Sequence, residues 1–185
     1  TLAASAHKFG GPRGIGLLLA RRTPAPLPLA FGGGQERGIR PGTVDVASAS
    51  ALAAALRESV EEMEEESARL SALRDKLKAG IESSIENVIV NSAEPTLASH
   101  LHVSFPGTDG DSLIMLLDAA GIEASAGSAC HAGVNRMSHV LEAMGIDEEH
   151  GRGSLRFSLG RMTTDGDIDV VIKELPEIIR RARSV

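Results

Sequence analysis

Leu52-Ala53-Ala54-Ala55-Leu56-Arg57-Glu58-Ser59-Val60-Glu61-Glu62-Met63-Glu64-Glu65-Glu66-Ser67-Ala68-Arg69-Leu70 is the centre of the longest periodic stretch in the chain. Its apolar residues (Leu52, Leu56, Val60, Met63, Leu70) continue to Leu73, Leu77 and Ile81 at intervals of three, four and seven. They draw one stripe along roughly eight helical turns. The glutamates between 61 and 66 fall mostly off that stripe and read as a solvated face, with Glu65 one turn before Arg69 as its ion-pair partner. The spacing predicts a single helix over 46–84, long enough to join two domains.

Upstream of that helix the chain is rich in glycine and proline. Ser5-Ala6-His7-Lys8 leads through a turn (Gly10 to Gly16) into a short apolar run, Ile15 to Ala20, expected to be a buried strand. The glycines precede this strand, whereas a dinucleotide fingerprint needs them after one, and the chain has no Gly-Lys-Ser/Thr phosphate loop. Arg21 to Leu29 is a proline-rich connector. In Gly32-Gly33-Gly34-Gln35-Glu36-Arg37-Gly38-Ile39-Arg40-Pro41-Gly42-Thr43, five glycines and one proline argue against regular structure and allow close approach of the backbone to a ligand. The amides and hydroxyl there suit an anion; a flexible linker is the other reading of the same glycines.

Downstream, shorter elements alternate. Val88 to Val90, Leu101 to Phe105 and Leu155 to Leu159 read as strands. Asp111 to Ala120 reads as a helix closed by Gly121, and Ser138 to Met144 as one stopped by Gly145. Thr164 caps a last helix with Asp167 at the capping-box position. Ile168, Val171, Ile172, Leu175, Ile179 and Ala182 mark its buried face, and Pro176 a kink. The fold class is α/β, with an α+β small domain at 85–185 in which helices cover a mostly antiparallel sheet.

Cys130 is the only cysteine, set among the small residues of Ser125-Ala126-Gly127-Ser128-Ala129-Cys130-His131-Ala132-Gly133. Such a stretch reads as a mobile loop carrying one nucleophilic thiol, and His131 stands where it would stabilise the thiolate. A lone cysteine is more often a small buried hydrophobe, and composition alone favours that. A single cysteine excludes an internal disulfide and fits a reducing compartment. The 185 residues are 42% hydrophobic and 24% charged, ordinary globular proportions. With no Trp or Tyr, four Phe and a net charge of −6, a nucleic-acid surface is not expected. No signal pattern and no run of membrane-spanning length is present, so the expectation is a cytoplasmic protein that engages no membrane. His100 and His102 alternate along a strand without a third ligand at suitable spacing, which argues for strand-surface roles over a metal.

Four motifs in order carry a resemblance. Ser5-Ala6-His7-Lys8 with its glycine-rich turn, the glycine loop at 32–43, Ser125 to Cys130, and Leu155-Arg156-Phe157-Ser158-Leu159-Gly160-Arg161 together resemble the cysteine desulfurases. These are pyridoxal-phosphate (PLP) enzymes of the class-V aminotransferase fold, and the resemblance extends over essentially the whole chain. It implies that Lys8 forms the Schiff base with PLP and shuttles protons, and that Ser5 and His7 hold the cofactor phosphate. Thr43 would reach the phosphate in the other subunit of a homodimer. Cys130 would attack the sulfur of L-cysteine, leaving a persulfide and L-alanine, while Arg156 clamps the substrate carboxylate. The persulfide would pass to a sulfur-acceptor or scaffold protein for iron–sulfur cluster or thiocofactor assembly. Two alternatives keep parts of this chemistry: a selenocysteine or cysteine-sulfinate lyase, and a PLP-free persulfide carrier or docking module. An Arg fork suits a carboxylate, and a lysine amine needs a desolvated or cationic setting to act as a nucleophile.

The resemblance also implies a longer N-terminal portion, where the family places a histidine over the cofactor ring and an aspartate at its pyridine nitrogen. Residues 1–45 are accordingly expected to be the remnant of a PLP-binding large domain. Residues 46–84 would be the connecting helix and 85–185 the small C-terminal domain. The chain alone is expected to bind PLP poorly and to be inactive.

Overall fold

The computed structural model of the chain describes residues 1–126 and 137–184. They divide into two compact units, Thr1–Glu64 and Glu65–Val185.

In the first unit β1 (Leu2–Ser5) and β2 (Gly16–Leu19) form an antiparallel ribbon, with Leu2 opposite Leu19 and Ser5 opposite Gly16. Glycine at 16 permits this register, because a Cβ there would meet the Ala4 carbonyl oxygen at 2.7 Å. The apolar run at 15–20 does form a strand, but Leu18 and Leu19 are exposed, since a two-stranded ribbon leaves its faces open. Between the strands, 6–8 make a single 3₁₀ turn around Ala6, which is fully buried. Its N–H donates to the Ile15 carbonyl (3.0 Å), and its own carbonyl accepts from the N–H groups of Phe9 (3.1 Å) and Gly11 (2.9 Å). The glycine loop is irregular, as expected, with a left-handed kink inside its one short turn. Residues 35–38 form a short 3₁₀ turn with Glu36 and Arg37 at φ 49° and 58°, and the Gly42 N–H donates to Gln35 Oε1 at 3.2 Å. α1 (Val46–Glu61) starts at Asp45, whose Oδ1 accepts from the Ser48 N–H (3.0 Å) and whose Oδ2 accepts from the Ser48 hydroxyl (2.6 Å). None of its residues is buried.

The single helix expected over 46–84 is two: α2 (Met63–Ser84) follows α1 after an interruption at Glu62. Glu62 has ψ −3°, and its N–H is shared between the carbonyls of Glu58 and Val60. The break falls inside the run of like charges from Glu61 to Glu66, where repulsion within a turn weakens a helix. Burial along the stripe divides as well. Leu70, Leu73, Leu77 and Ile81 are buried, whereas Leu56, Val60 and Met63 are exposed. Arg69 pairs with Glu66 instead of Glu65, through Nε (2.8 Å) and Nη2 (2.7 Å). The guanidinium is drawn that way because it also donates to the carbonyls of Thr163 (2.7 Å) and Gly160 (3.1 Å).

The second unit continues with β3 (Ile89–Val90), β4 (His100–Ser104), α3 (Gly110–Ala119), α4 (His139–Ala143), α5 (Glu148–Gly151), β5 (Ser154–Ser158) and α6 (Asp165–Ala182). The three strands make an antiparallel sheet in the order β3-β4-β5, with His102 opposite Arg156 and Val103 opposite Leu155. Alternation sends Leu101, Val103, Leu155 and Phe157 into the core with Leu77, Ile81, Leu113, Leu117, Leu175 and Ile179 from the helices. The helices are capped by Asp109, Ser138, Asp147 and Thr164, the last in a complete capping box with Asp167. α6 buries Ile168, Leu175, Ile179 and Ala182 as its spacing predicts, adds Ile178, and runs unbroken through Pro176. No helix among the described residues is long and apolar enough to cross a membrane.

Candidate active site

Ser5, His7 and Lys8 are brought together by the Ala6–Lys8 turn. The buried Ala6 and its hydrogen bonds fold the chain back between β1 and β2, which leaves the three candidate side chains exposed on the outside of the turn. Among the described residues none of the three has a hydrogen bond or ion pair, and the Ser5 hydroxyl does not cap the turn that it precedes. A hydroxyl and an imidazole are donors suited to a phosphate, and a free amine is the group that condenses with an aldehyde. The set fits those two ends of PLP. Thr43 lies in the same unit, exposed, between the self-closed glycine loop and the Asp45 cap of α1.

Arg156 belongs to the second unit. It sits mid-strand in β5, with its side chain on the exposed face of the sheet. Ser125 joins the strand from the other side. The Arg156 N–H donates to the Ser125 carbonyl (2.7 Å), and the Ser125 N–H donates back (3.1 Å). Arg156 and Ser125 line a groove of about 410 Å³ together with Ser158, Asp118 and Glu123. No carboxylate among the described residues is ion-paired with the guanidinium, which leaves its fork available to an anion in the groove. Its charge is nevertheless felt. His100 and His102 are both held below the ordinary imidazole value, first by burial and then by Arg156.

Cys130 and His131 lie outside the described residues. Sequence reading treated His102 only as a strand-surface residue. It is tied into a polar knot on the central strand, with Asn91 Nδ2 3.0 Å from its Nδ1 and 2.7 Å from Ser104 Oγ. The alternation of His100 and His102 was the visible signal. The partner, Asn91, follows β3 and could be found only once the strand register was known.

The sequence matches the class-V aminotransferase family over residues 1–171. The chain belongs to that family. This class-V aminotransferase chain is 51% identical over 184 residues to the IscS-like cysteine desulfurase of Mycobacterium tuberculosis, covering 98% of this chain and 47% of that protein. It is 42% identical over 187 residues to the cysteine desulfurase IscS of Clostridium botulinum, covering 100% of this chain and 47% of that protein. The solved structure of a NifS-like protein matches it with a TM-score of 0.84 at 36% identity, covering 97% of this chain and 46% of the other. That likeness agrees with the α/β architecture. The chain spans about half the length of the curated relatives it matches.

Proposed function

We propose that this class-V aminotransferase chain is the part of a cysteine desulfurase that carries the cofactor lysine, the carboxylate clamp and the sulfur-accepting thiol. The observation that carries the reading is the 51% identity over 98% of the chain to a protein named an IscS-like cysteine desulfurase. The unpartnered side chains of Ser5, His7 and Lys8 on one turn and the unpaired guanidinium of Arg156 in its groove support it. In this reading residues 1–45 belong to a PLP-binding large domain, 46–84 connect, and 85–185 form the small domain.

PLP, when bound, supplies the electron sink for the substrate carbons. Lys8 offers its amine to the cofactor aldehyde and carries protons to and from the substrate carbons. The Ser5 hydroxyl and the His7 imidazole hold the phosphate, and Thr43 reaches it from the second subunit of a homodimer. Arg156 orients the substrate by gripping both carboxylate oxygens. Cys130, as its thiolate, attacks the sulfur of L-cysteine. The carbon–sulfur bond breaks as the sulfur–sulfur bond forms, and the carbon left behind takes a proton, giving L-alanine and a Cys130 persulfide. An acceptor or scaffold protein then takes the sulfur for iron–sulfur or thiocofactor assembly, in a reducing cytoplasm where a lone thiol persists.

The test is mass spectrometry and alanine release, on the 185-residue chain and on a desulfurase of the relatives' length that contains it. The longer protein is expected to release alanine and gain one sulfur on Cys130, and the chain alone to do neither. Borohydride should fix PLP onto Lys8 of the longer protein, and Lys8→Ala should abolish this. Undiminished turnover of L-cysteine by Cys130→Ser would refute the persulfide route and point to direct elimination.

A further inference from the structure

The imidazole directly opposite Arg156 is held in one protonation pattern. Asn91 is 8% exposed and Ser104 is fully buried, so the Asn91 amide lies in the interior, where its Nδ2 meets Ser104 Oγ at 2.7 Å and His102 Nδ1 at 3.0 Å. An amide nitrogen only donates. His102 Nδ1 must therefore accept, and a neutral ring then carries its proton on Nε2. The opposite amide orientation would bury an NH₂ group with no acceptor. The one present leaves Asn91 Oδ1 without a partner, and under-satisfied carbonyls are tolerated more often than orphaned N–H groups. The backbone fixes the pair: the Asn91 N–H donates to the His102 carbonyl (2.9 Å), and the His102 N–H donates to Ser92 Oγ (2.9 Å).

His102 is the cross-strand partner of Arg156, so the two side chains leave the same face of the sheet, with Cβ atoms about 5 Å apart. We propose that His102, fixed by Asn91 as its Nε2–H tautomer, is a second hydrogen-bond donor to the anionic group that Arg156 holds. This rests on the reading of Arg156 as the substrate-carboxylate clamp and puts the carboxylate on the β4 side of the guanidinium, since His102 is not among the residues lining the groove on the Ser125 side. A second cation beside the guanidinium would repel it, whereas a neutral ring adds a donor without adding charge. Burial and the Arg156 charge both keep the ring in that neutral form. His100, diagonal to Arg156 on the same face, is held neutral for the same two reasons, but its Nδ1 is engaged by the Ser99 hydroxyl at 2.8 Å. Among the described residues no Asn91-like amide fixes its ring.

Nitrogen-15 NMR of the 185-residue chain, with His102 assigned through His102→Gln, reads the tautomer directly. At neutral pH the wild type should show an unprotonated Nδ1 and a protonated Nε2, and Asn91→Leu should give a mixture of tautomers. In the PLP-loaded longer desulfurase, titration with L-alanine, which carries the carboxylate without the sulfur, should move the His102 Nε2 and Arg156 Nε signals together, and Arg156→Gln should abolish the His102 response. In turnover by the longer desulfurase, His102→Phe should raise KM about tenfold with kcat within about twofold, and His102→Gln should retain most of the affinity. A dominant Nδ1–H tautomer, or an Arg156 response without one from His102, overturns the proposal. Silence of both signals overturns the carboxylate reading itself.

Discussion

Gly80→Ala sets two effects of known size against each other. Gly80 lies in the last turns of α2, where alanine would favour the helix by about 1 kcal/mol. A Cβ at that position, however, would stand 2.5 Å from Ile172 Cγ1 and 3.0 Å from its Cγ2 on α6. Ile172 cannot swing one branch aside, because a β-branched side chain in a helix keeps essentially one χ1 rotamer and both γ-carbons move together. It also packs against the core cluster, so any shift is passed to its neighbours. Overpacking of this kind costs about 1–3 kcal/mol. The clash should therefore outweigh the propensity gain and leave the variant about 1 kcal/mol less stable. Ile172→Ala alone should also destabilise, by lost burial. In the double variant Cβ80 finds room and the propensity gain reappears, so the two substitutions should couple favourably by about 1–2 kcal/mol. With no Trp or Tyr in the chain, urea unfolding is best followed by far-UV circular dichroism. The midpoint should fall at an unchanged slope for Gly80→Ala. A raised midpoint, or strict additivity in the double variant, would show that the two helices are not in the contact described.

Three further outcomes are expected. Arg183 donates from Nε to the Pro106 carbonyl (3.1 Å) and from Nη2 to those of Glu86 (2.9 Å) and Asn87 (3.1 Å). Arg183→Ala should lower stability by about 1–2 kcal/mol in thermal melts, with Arg183→Lys recovering only part of it. His100 and His102 are held below the ordinary imidazole value of 6.5, so the unfolded chain binds protons first. Stability should be undiminished by these groups above pH 6.5 and should fall as pH drops through their folded values. Urea midpoints at successive pH values test this, and His102→Gln should flatten the slope. The capping carboxylates of Asp109 and Asp147 are held below 3.8, so their contribution is lost only in a separate, more acid window. Finally, Arg156→Lys in the longer desulfurase should raise KM for L-cysteine about tenfold or more, because a point charge cannot replace the two-pronged grip on a carboxylate; an unchanged KM would remove Arg156 from the clamp role.

The elements most legible in the sequence were those whose signal is local. Thr164 and Asp167 announce α6 because a capping box is built within four residues, and its buried face follows from helical spacing. The glycines at 121 and 145 end their helices at φ 72° and 81°, conformations that glycine adopts without strain. β1 and α5 were not legible, being four residues each with no periodic signal of their own. Glu62 interrupts the long stripe for a reason that hydrophobic spacing does not record, since the stripe counts apolar positions and the break belongs to the charges beside them.

Burial shows most plainly what periodicity can and cannot say. Leu56 and Leu77 lie on the same stripe of the sequence and are the same residue type, yet one is 39% exposed and the other 1%. Spacing identifies which face of an element is able to be buried; it does not say what covers that face. Chemistry divides in the same way. Ser5, His7 and Lys8 are singled out as candidates by a resemblance carried in one short stretch, and Arg156 by one continuous along a strand. The Asn91–His102 couple joins residues 11 positions apart through the β3–β4 register, so no motif announces it and only the folded sheet does. Residues that act by contact across strands are for this reason the ones a sequence reading misses, and the sheet face around Arg156 is where such partners should be sought first.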